Sequence, residues 1–235
     1  IEQCPLCQST DREYLQIIYR FQYFICSRCA GVYVANPPSN DALKLLYNSE
    51  YYTDANKTLL INDNIINFRT THIAEPKIDY VLEFLTTEKR SWLDIGCGAG
   101  EILGAAKNRG FDCLGLEANV AEREFARSKF DIDVRDVFLN DKTMVEYNGE
   151  WGVISLFSVL EHIVDPASLL NVISAMQDDG DNLVIEVPHF PSLSGFSQMA
   201  FPDYVNRVMH PPLHLFLFSL ASLKRLLLKF SYEIK

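Results

Sequence analysis

The sequence predicts an α/β protein: a doubly wound parallel sheet preceded by a small cysteine-bearing segment. Strand-length apolar runs alternate with helix-length runs from residue 72 onward, and that alternation builds βαβ units with helices on both faces of the sheet. A glycine-rich loop, Gly96-Cys97-Gly98-Ala99-Gly100, lies between an expected strand and an expected helix. Four of the six cysteines fall within the first 36 residues as two Cys-x-x-Cys pairs.

The first segment, residues 1–36, reads as short β-like runs over Tyr14 to Tyr19, Tyr23 to Cys26 and Gly31 to Val34. Pro37 and Pro38 close it, because proline interrupts both helix and ladder. Residues 37–71 read as a linker with a short helix over Ala42 to Tyr47, capped by Asp41. An aromatic cluster of Tyr47, Tyr51 and Tyr52 follows, then a polar stretch to about Asn67. Residues 72–235 form the main domain. Ile73, Ile78, Tyr80, Val81, Leu82, Phe84 and Leu85 suit one broad apolar helix face. Trp92 to Ile95 reads as a buried strand, and Glu101 to Arg109 as a helix ended by Gly110. Cys113 to Leu116 is the next strand, Ala121 to Lys129 the next helix, and Ile132 to Arg135 a weaker strand. Gly152 to Ser158 is a strong strand. Asp165-Pro166 starts a helix to about Gln177, with an N-cap carboxylate and proline at the first helical position. Leu183 to Val187 is a strand stopped by Pro188, and Ser219 caps a last helix over Leu220 to Lys229.

With 48 % hydrophobic and 22 % charged residues, the 235-residue chain has an ordinary globular composition. No apolar run reaches the ~18 residues that span a bilayer, and no signal peptide is legible. The sequence begins at Ile1, so a short N-terminal piece is expected to be absent. Lys and Arg number 21 against 31 Asp and Glu, a formal net charge of −10. That balance argues against a nucleic-acid partner, which needs clustered cations, although Arg12, Arg20 and Arg28 leave room for a local basic patch. Nothing in the sequence sets an oligomeric state.

Cys4-Pro-Leu-Cys7 and Cys26-Ser-Arg-Cys29 are separated by eighteen residues, the spacing of a zinc ribbon. Two knuckles supply a tetrahedron of thiolates. Four protein ligands leave no position for substrate, so the metal would be structural. Iron also fits four thiolates. The alternatives are two disulfides or free thiols. Few cysteines in metal-type spacing suit a reducing cytoplasm.

The glycine loop lies where an open α/β sheet takes its ligand. A dinucleotide fingerprint would be G-x-G-x-x-G. Here the third glycine comes one residue early, and Glu101 stands where a pyrophosphate would meet the helix N-terminus, an unfavourable pairing. Glu117 ends the following strand, and a carboxylate there accepts hydrogen bonds from ribose hydroxyls. These features suit a nucleoside ligand without pyrophosphate, and they argue against an oxidoreductase.

The pattern Asp94-x-Gly96-x-Gly98-x-Gly100, followed by Glu117, resembles class I S-adenosylmethionine-dependent methyltransferases. Trp151 to Pro166, Asn182 to Pro188 and His214 to Ser219 resemble further elements of that family, so the resemblance covers roughly residues 40–235. The cysteine pairs with Asn36-Pro37-Pro38 and Tyr51-Tyr52 resemble the subset that carries a zinc ribbon, some of whose members C-methylate nucleotide-linked deoxysugars. The resemblance implies a Rossmann-like sheet. It also implies two strands beyond the last helix, of which Tyr232 to Lys235 would only begin the first. The sequence is therefore expected to stop short of them.

By the same resemblance, Gly96, Cys97, Gly98 and Gly100 cradle the methionine part of S-adenosylmethionine, and Asp94 reaches toward its amino group. Glu117 takes the ribose hydroxyls, Ala118 lies beside the adenine, Asp136 and Val137 flank the adenine edge, and Phe157 and Ser158 lie near the methionine part. His214 is the first candidate base. Family members place a Glu before that histidine, whereas this chain has Leu213. His162 beside Glu161 is the second candidate, and His189 and His210 are further options. The implied activity is methyl transfer to a small-molecule acceptor, with a nucleotide-linked sugar or glycan as the candidate. The competing functions are an RNA or protein methyltransferase and a non-catalytic cofactor-binding scaffold.

Overall fold

The computed structural model describes residues 1–47, 49, 62–137, 144–147, 149–192, 197, 199, 209 and 211–235. Tyr51, Tyr52 and His210 lie outside the described residues. The chain divides into two compact units. One comprises Ile1–Leu43, Ser158–Asn171 and Glu186–Lys235; the other comprises Lys44–Phe157 and Val172–Ile185.

The first unit carries a four-stranded antiparallel sheet in the order β1 (Arg12–Ile18), β2 (Phe21–Cys26), β3 (Val32–Val34) and β9 (Phe216–Leu217). Its register aligns one aromatic row across all four strands: Tyr14 opposite Phe24, Phe24 opposite Tyr33, and Tyr33 opposite Phe216. Such cross-strand pairs stabilise a small sheet. The expected N-terminal strands are present. The fourth strand is not a sequence expectation, since two residues show no periodicity. The last helix, α8 (Leu220–Leu228), is capped by Ser219, whose Oγ accepts the Ser222 N–H at 3.0 Å.

The second unit is built on a five-stranded sheet in the order β6 (Asp133–Arg135), β5 (Asp112–Leu116), β4 (Ser91–Ile95), β7 (Val153–Phe157) and β8 (Asn182–Glu186). The β4–β5, β4–β7 and β5–β6 pairs are all parallel, as the sequence predicts. Strand order reverses beside β4, the switch point at which open α/β sheets bind ligands. Trp92, Leu93, Leu116, Val134, Val153, Ile154 and Leu156 fill the interior.

Helices α1 (Asn40–Tyr47), α4 (Glu101–Lys107), α5 (Val120–Phe130) and α7 (Pro166–Ser174) fall near their expected places, α7 ending three residues early; a short α6 (Met144–Tyr147) precedes β7. The polar stretch is a correction. Asn62 caps a helix there, its side chain accepting from the Asn64 and Ile65 N–H groups, and α2 (Asp63–Arg69) runs into α3 (Glu75–Leu82) through a π turn over Thr70–Ala74. The buried positions are Ile66, Ala74 and Ile78. The π turn inserts one residue between the first two, so the 3.6 period fails across it.

Candidate functional site

Every residue expected to meet the cofactor in the second unit lies at the carboxyl end of a parallel strand. Asp94 and the glycine loop end β4, Glu117 and Ala118 follow β5, Asp136 and Val137 follow β6, and Phe157 ends β7, with Ser158 next in the chain. Gly96, Gly98 and Gly100 all have positive φ, at 71°, 53° and 85°, a backbone closed to most side chains. The Gly96 and Cys97 N–H groups donate to the Leu116 carbonyl at 2.7 and 3.1 Å. Glu117 receives the Gly98 N–H on one oxygen at 2.9 Å and the Asn119 N–H on the other at 2.7 Å. One carboxylate thus ties the glycine loop to the start of α5, and each oxygen keeps a second lone pair for a hydroxyl donor.

The Cys97 side chain packs inward against β5. It is buried, its sulfur would stand 2.6 Å from a Cβ on Gly115, and burial pushes its thiol well up. Only its backbone is available to a cofactor. Asp136 is more than half exposed and Val137 half-buried.

The loop is rich in negative charge. Asp94 is 2 % exposed, and burial pushes it up to about 7, with Glu101 and Glu117 pushing the same way. Burial also raises Glu117 against the pull of its N–H donors. This is a poor home for a pyrophosphate and a good one for a sulfonium and an ammonium. Two cations that no motif announced temper it. Arg69, at the end of α2, pairs with buried Glu101. Arg123, on α5, donates to the Glu117 carbonyl at 2.6 Å and reaches Asp136 at 3.5 Å. Arg123 lies six residues after Glu117, within reach on the following helix turn, which is the one sequence signal for it.

In the first unit the four N-terminal cysteines converge. Cys4 and Cys29 sulfurs lie 3.7 Å apart, Cys7 and Cys26 sulfurs 3.5 Å apart, and all four fall within 4.8 Å of one another. All are free thiols, so the disulfide alternative is not what the structure has. A tetrahedral zinc with Zn–S near 2.3 Å needs sulfurs ~3.8 Å apart, so the donor set fits. The two knuckles share one hydrogen-bond pattern. Gln8 N–H returns to Cys4 and Ala30 N–H to Cys26; Cys4 N–H reaches Ser9 and Cys26 N–H reaches Gly31. Gln8 and Ala30 close them at φ 63° and 54°.

The same unit brings together the three residues expected to be catalytic. Glu161 and His162 sit in a 3-10 turn over Leu160–His162, and His214 precedes β9. The His162 and His214 rings are 4.9 Å apart, and His162 Nε2 lies 3.7 Å from Glu161 Oε1. Leu215 N–H donates to the Glu161 carbonyl at 2.8 Å, and Tyr23 hydroxyl to the His214 carbonyl at 2.9 Å. Glu161 is fully buried, neither side-chain oxygen has a hydrogen-bond partner among the described residues, and burial pushes it up to about 7. Leu213 offers no acid beside His214, and the nearby carboxyl is that of Glu161, within 4.8 Å of the ligand atoms of both histidines. These three side chains are also, with the cysteines, one of the two groups of described residues able to hold a metal ion. The His189 backbone forms an isolated parallel bridge with Phe218.

Residues 69–235 match a family model described as a methyltransferase domain, well over half of the chain. The chain belongs to that family. Among curated relatives, the ubiquinone biosynthesis O-methyltransferase of Marinobacter nauticus is 25 % identical over 130 residues, covering 52 % of this chain and 55 % of that protein. That of Stutzerimonas stutzeri is 26 % identical over 124 residues, covering 50 % and 53 %. The chain thus spans about half the length of the curated relatives it matches. The fold is shared with an S-adenosylmethionine-dependent methyltransferase from Archaeoglobus fulgidus, at TM-score 0.55 and 20 % identity over 78 % of this chain and 75 % of that one. It is shared also with magnesium protoporphyrin IX methyltransferase of Synechocystis PCC 6803, at TM-score 0.59 and 13 % identity over 84 % and 91 %. Among the described residues, no helix is long and apolar enough to cross a membrane.

Proposed function

We propose that this methyltransferase-family chain binds S-adenosylmethionine at the glycine loop and methylates a small-molecule acceptor. One observation carries the reading: Glu117 clamps the Gly98 and Asn119 N–H groups at the carboxyl end of β5, beside three glycines with positive φ. Gly96, Gly98 and Gly100 let the backbone approach the methionine portion, with Cys97 contributing its main chain alone. Asp94 faces the ammonium, Glu117 takes the ribose hydroxyls, Ala118, Asp136 and Val137 border the adenine, and Phe157 and Ser158 border the methionine portion. When bound, the sulfonium supplies an activated methyl group.

The protein then has two tasks. It holds the acceptor in line, which effective-molarity estimates value at ~7–11 kcal/mol, and it removes a proton from an oxygen or carbon nucleophile. His214 is the proposed base, with His162 beside it. Glu161, 3.7 Å from His162 Nε2, stabilises an imidazolium that forms there, and the Leu213 carbonyl, 3.0 Å from His162 Nδ1, fixes that ring. The relatives named O-methyltransferases favour a hydroxyl acceptor; nucleotide-linked sugars and glycans remain the acceptors suggested by the cysteine-bearing N-terminus. A structural zinc held by Cys4, Cys7, Cys26 and Cys29 completes the proposal, within a cytoplasmic protein.

Calorimetric titration with S-adenosylmethionine tests the donor site. The wild type should bind, and Glu117→Ala should weaken binding at least ~30-fold, two charge-assisted hydrogen bonds being removed. Equal affinity in both proteins would sink the assignment. His214→Ala should bind the donor normally and lose turnover of phenolic or sugar acceptors; wild-type turnover would remove His214 from the mechanism.

A further inference from the structure

We propose that Ser155, itself oriented by Trp92, is a positioning residue that keeps the Asp94 carboxylate charged and aimed at the ammonium group of the methyl donor. The proposal rests on the donor site above and adds two residues to it.

The placement follows from sheet register. Ser155 on β7 lies directly opposite Asp94 on β4. Trp92 is two residues before Asp94, so both side chains leave the strand on one face. The Trp92 indole N–H donates to Ser155 Oγ at 2.8 Å, and Ser155 hydroxyl donates to Asp94 Oδ1 at 2.5 Å. Trp92 and Ser155 are wholly buried and Asp94 nearly so.

The donors fix the direction of this chain. An indole nitrogen only donates, so the serine oxygen must accept from it. The single hydroxyl proton is then committed to Asp94, which must accept. A neutral carboxyl accepts that bond less well than a carboxylate does. The relay therefore favours the charged form.

That preference matters because its surroundings oppose it. Glu101 from α4 and Glu117 from the end of β5 both disfavour a charge on Asp94. The neighbouring thiols of Cys97 and Cys113 are pushed up, the latter to about 12, and stay neutral. Arg69 is engaged by Glu101, and Arg123 by the Glu117 carbonyl and Asp136. Among the described residues, burial, Glu101 and Glu117 oppose the Asp94 charge and the Ser155 hydrogen bond supports it. With Asp94 at about 7, losing one hydrogen bond is enough to change its charge near neutral pH.

The experiment is calorimetric binding of S-adenosylhomocysteine between pH 5.5 and 8. It uses wild type, Ser155→Ala, Ser155→Cys and Ser155→Thr, each checked for a cooperative thermal transition. Wild-type affinity should rise with pH, with a midpoint near 7. Ser155→Ala should move that midpoint up by about one unit, as loss of a hydrogen bond to a charged group predicts. Ser155→Cys, a weaker donor, should fall between. Ser155→Thr should restore the wild-type profile. If Ser155→Ala loses affinity equally at every pH, or keeps the wild-type midpoint, the proposal is overturned while the donor site stands. If Ser155→Ala does not fold, an unshifted midpoint in Ser155→Cys overturns it equally well. If the wild type binds nothing at any pH, the donor site itself falls and the proposal with it.

Discussion

At the scale of single residues, Glu161 is the sharpest case of a carboxyl whose surroundings resist its ionisation. Its carboxyl is buried without a hydrogen-bond partner among the described residues and is pushed from 4.5 up to about 7. Between those values the folded state binds more protons than the unfolded state, so the contribution of Glu161 to stability falls as pH rises through that window. Asp94 has the same sign, from 3.8 to about 7. Glu161→Gln removes the charge and keeps the shape. It should leave the melting temperature nearly unchanged at pH 5 and raise it at pH 8, by about 7–14 °C for a chain of this size. Thermal denaturation at the two pH values checks this, and an equal shift at both would mean that Glu161 is not resisting ionisation. The glycine loop and Glu117 were legible in the sequence because their spacing encodes backbone geometry. Arg69, Arg123, Ser155 and Trp92 were not. Arg69, Ser155 and Trp92 act through partners 32 to 63 positions away, which no local pattern specifies, and Arg123 had only its six-residue spacing from Glu117 to mark it.

At the scale of elements, two glycines divide the work of α4. A Cβ on Gly100 would stand 2.7 Å from the Ala126 Cβ on α5, and its φ is +85°. A Cβ on Gly110 would meet nothing within 4 Å at φ +84°. Both alanine substitutions incur the left-handed backbone cost of roughly 1–2 kcal/mol. Only Gly100→Ala adds an overpacking cost of about 1–3 kcal/mol, because the α4–α5 approach must open. Urea unfolding should therefore place Gly100→Ala clearly below Gly110→Ala, and equal midpoints would refute the close approach as the reason for glycine. Element boundaries were legible where chemistry marks them, as at Ser219, Gly110 and Asp165. The helix read over Ile73 to Leu85 is α3, whereas α2, inside the stretch read as polar, was illegible. The Asn62 cap was a readable signal there, hidden by the polar composition around it.

At the scale of the whole molecule, the parallel sheet was legible because strand and helix periods alternate, but the composition of the first unit was not. Its sheet is completed by β9 from the far end of the sequence, with Phe216 closing the aromatic row begun at Tyr14. The last helix also braces both cysteine knuckles. Ser219 hydroxyl donates to the Cys29 carbonyl at 2.6 Å, Lys229 ammonium to the Leu6 carbonyl at 2.9 Å, and a Cβ on Gly31 would meet Ser222 at 3.0 Å. Loss of the proposed metal should therefore spread beyond the N-terminal segment. Four unligated thiols this close repel once ionised, and a structural zinc contributes on the order of 10 kcal/mol to a small fold. Hydrogen exchange before and after chelation should show protection lost in β1, β2, β3, β9 and the start of α8. The amides of β4 and β5, whose ladder and core lie within the second unit, should keep theirs. Loss confined to residues 1–36 would show that the knuckles fold independently of the C-terminal brace. Equal loss in both units would mean that the metal governs the fold as one cooperative whole.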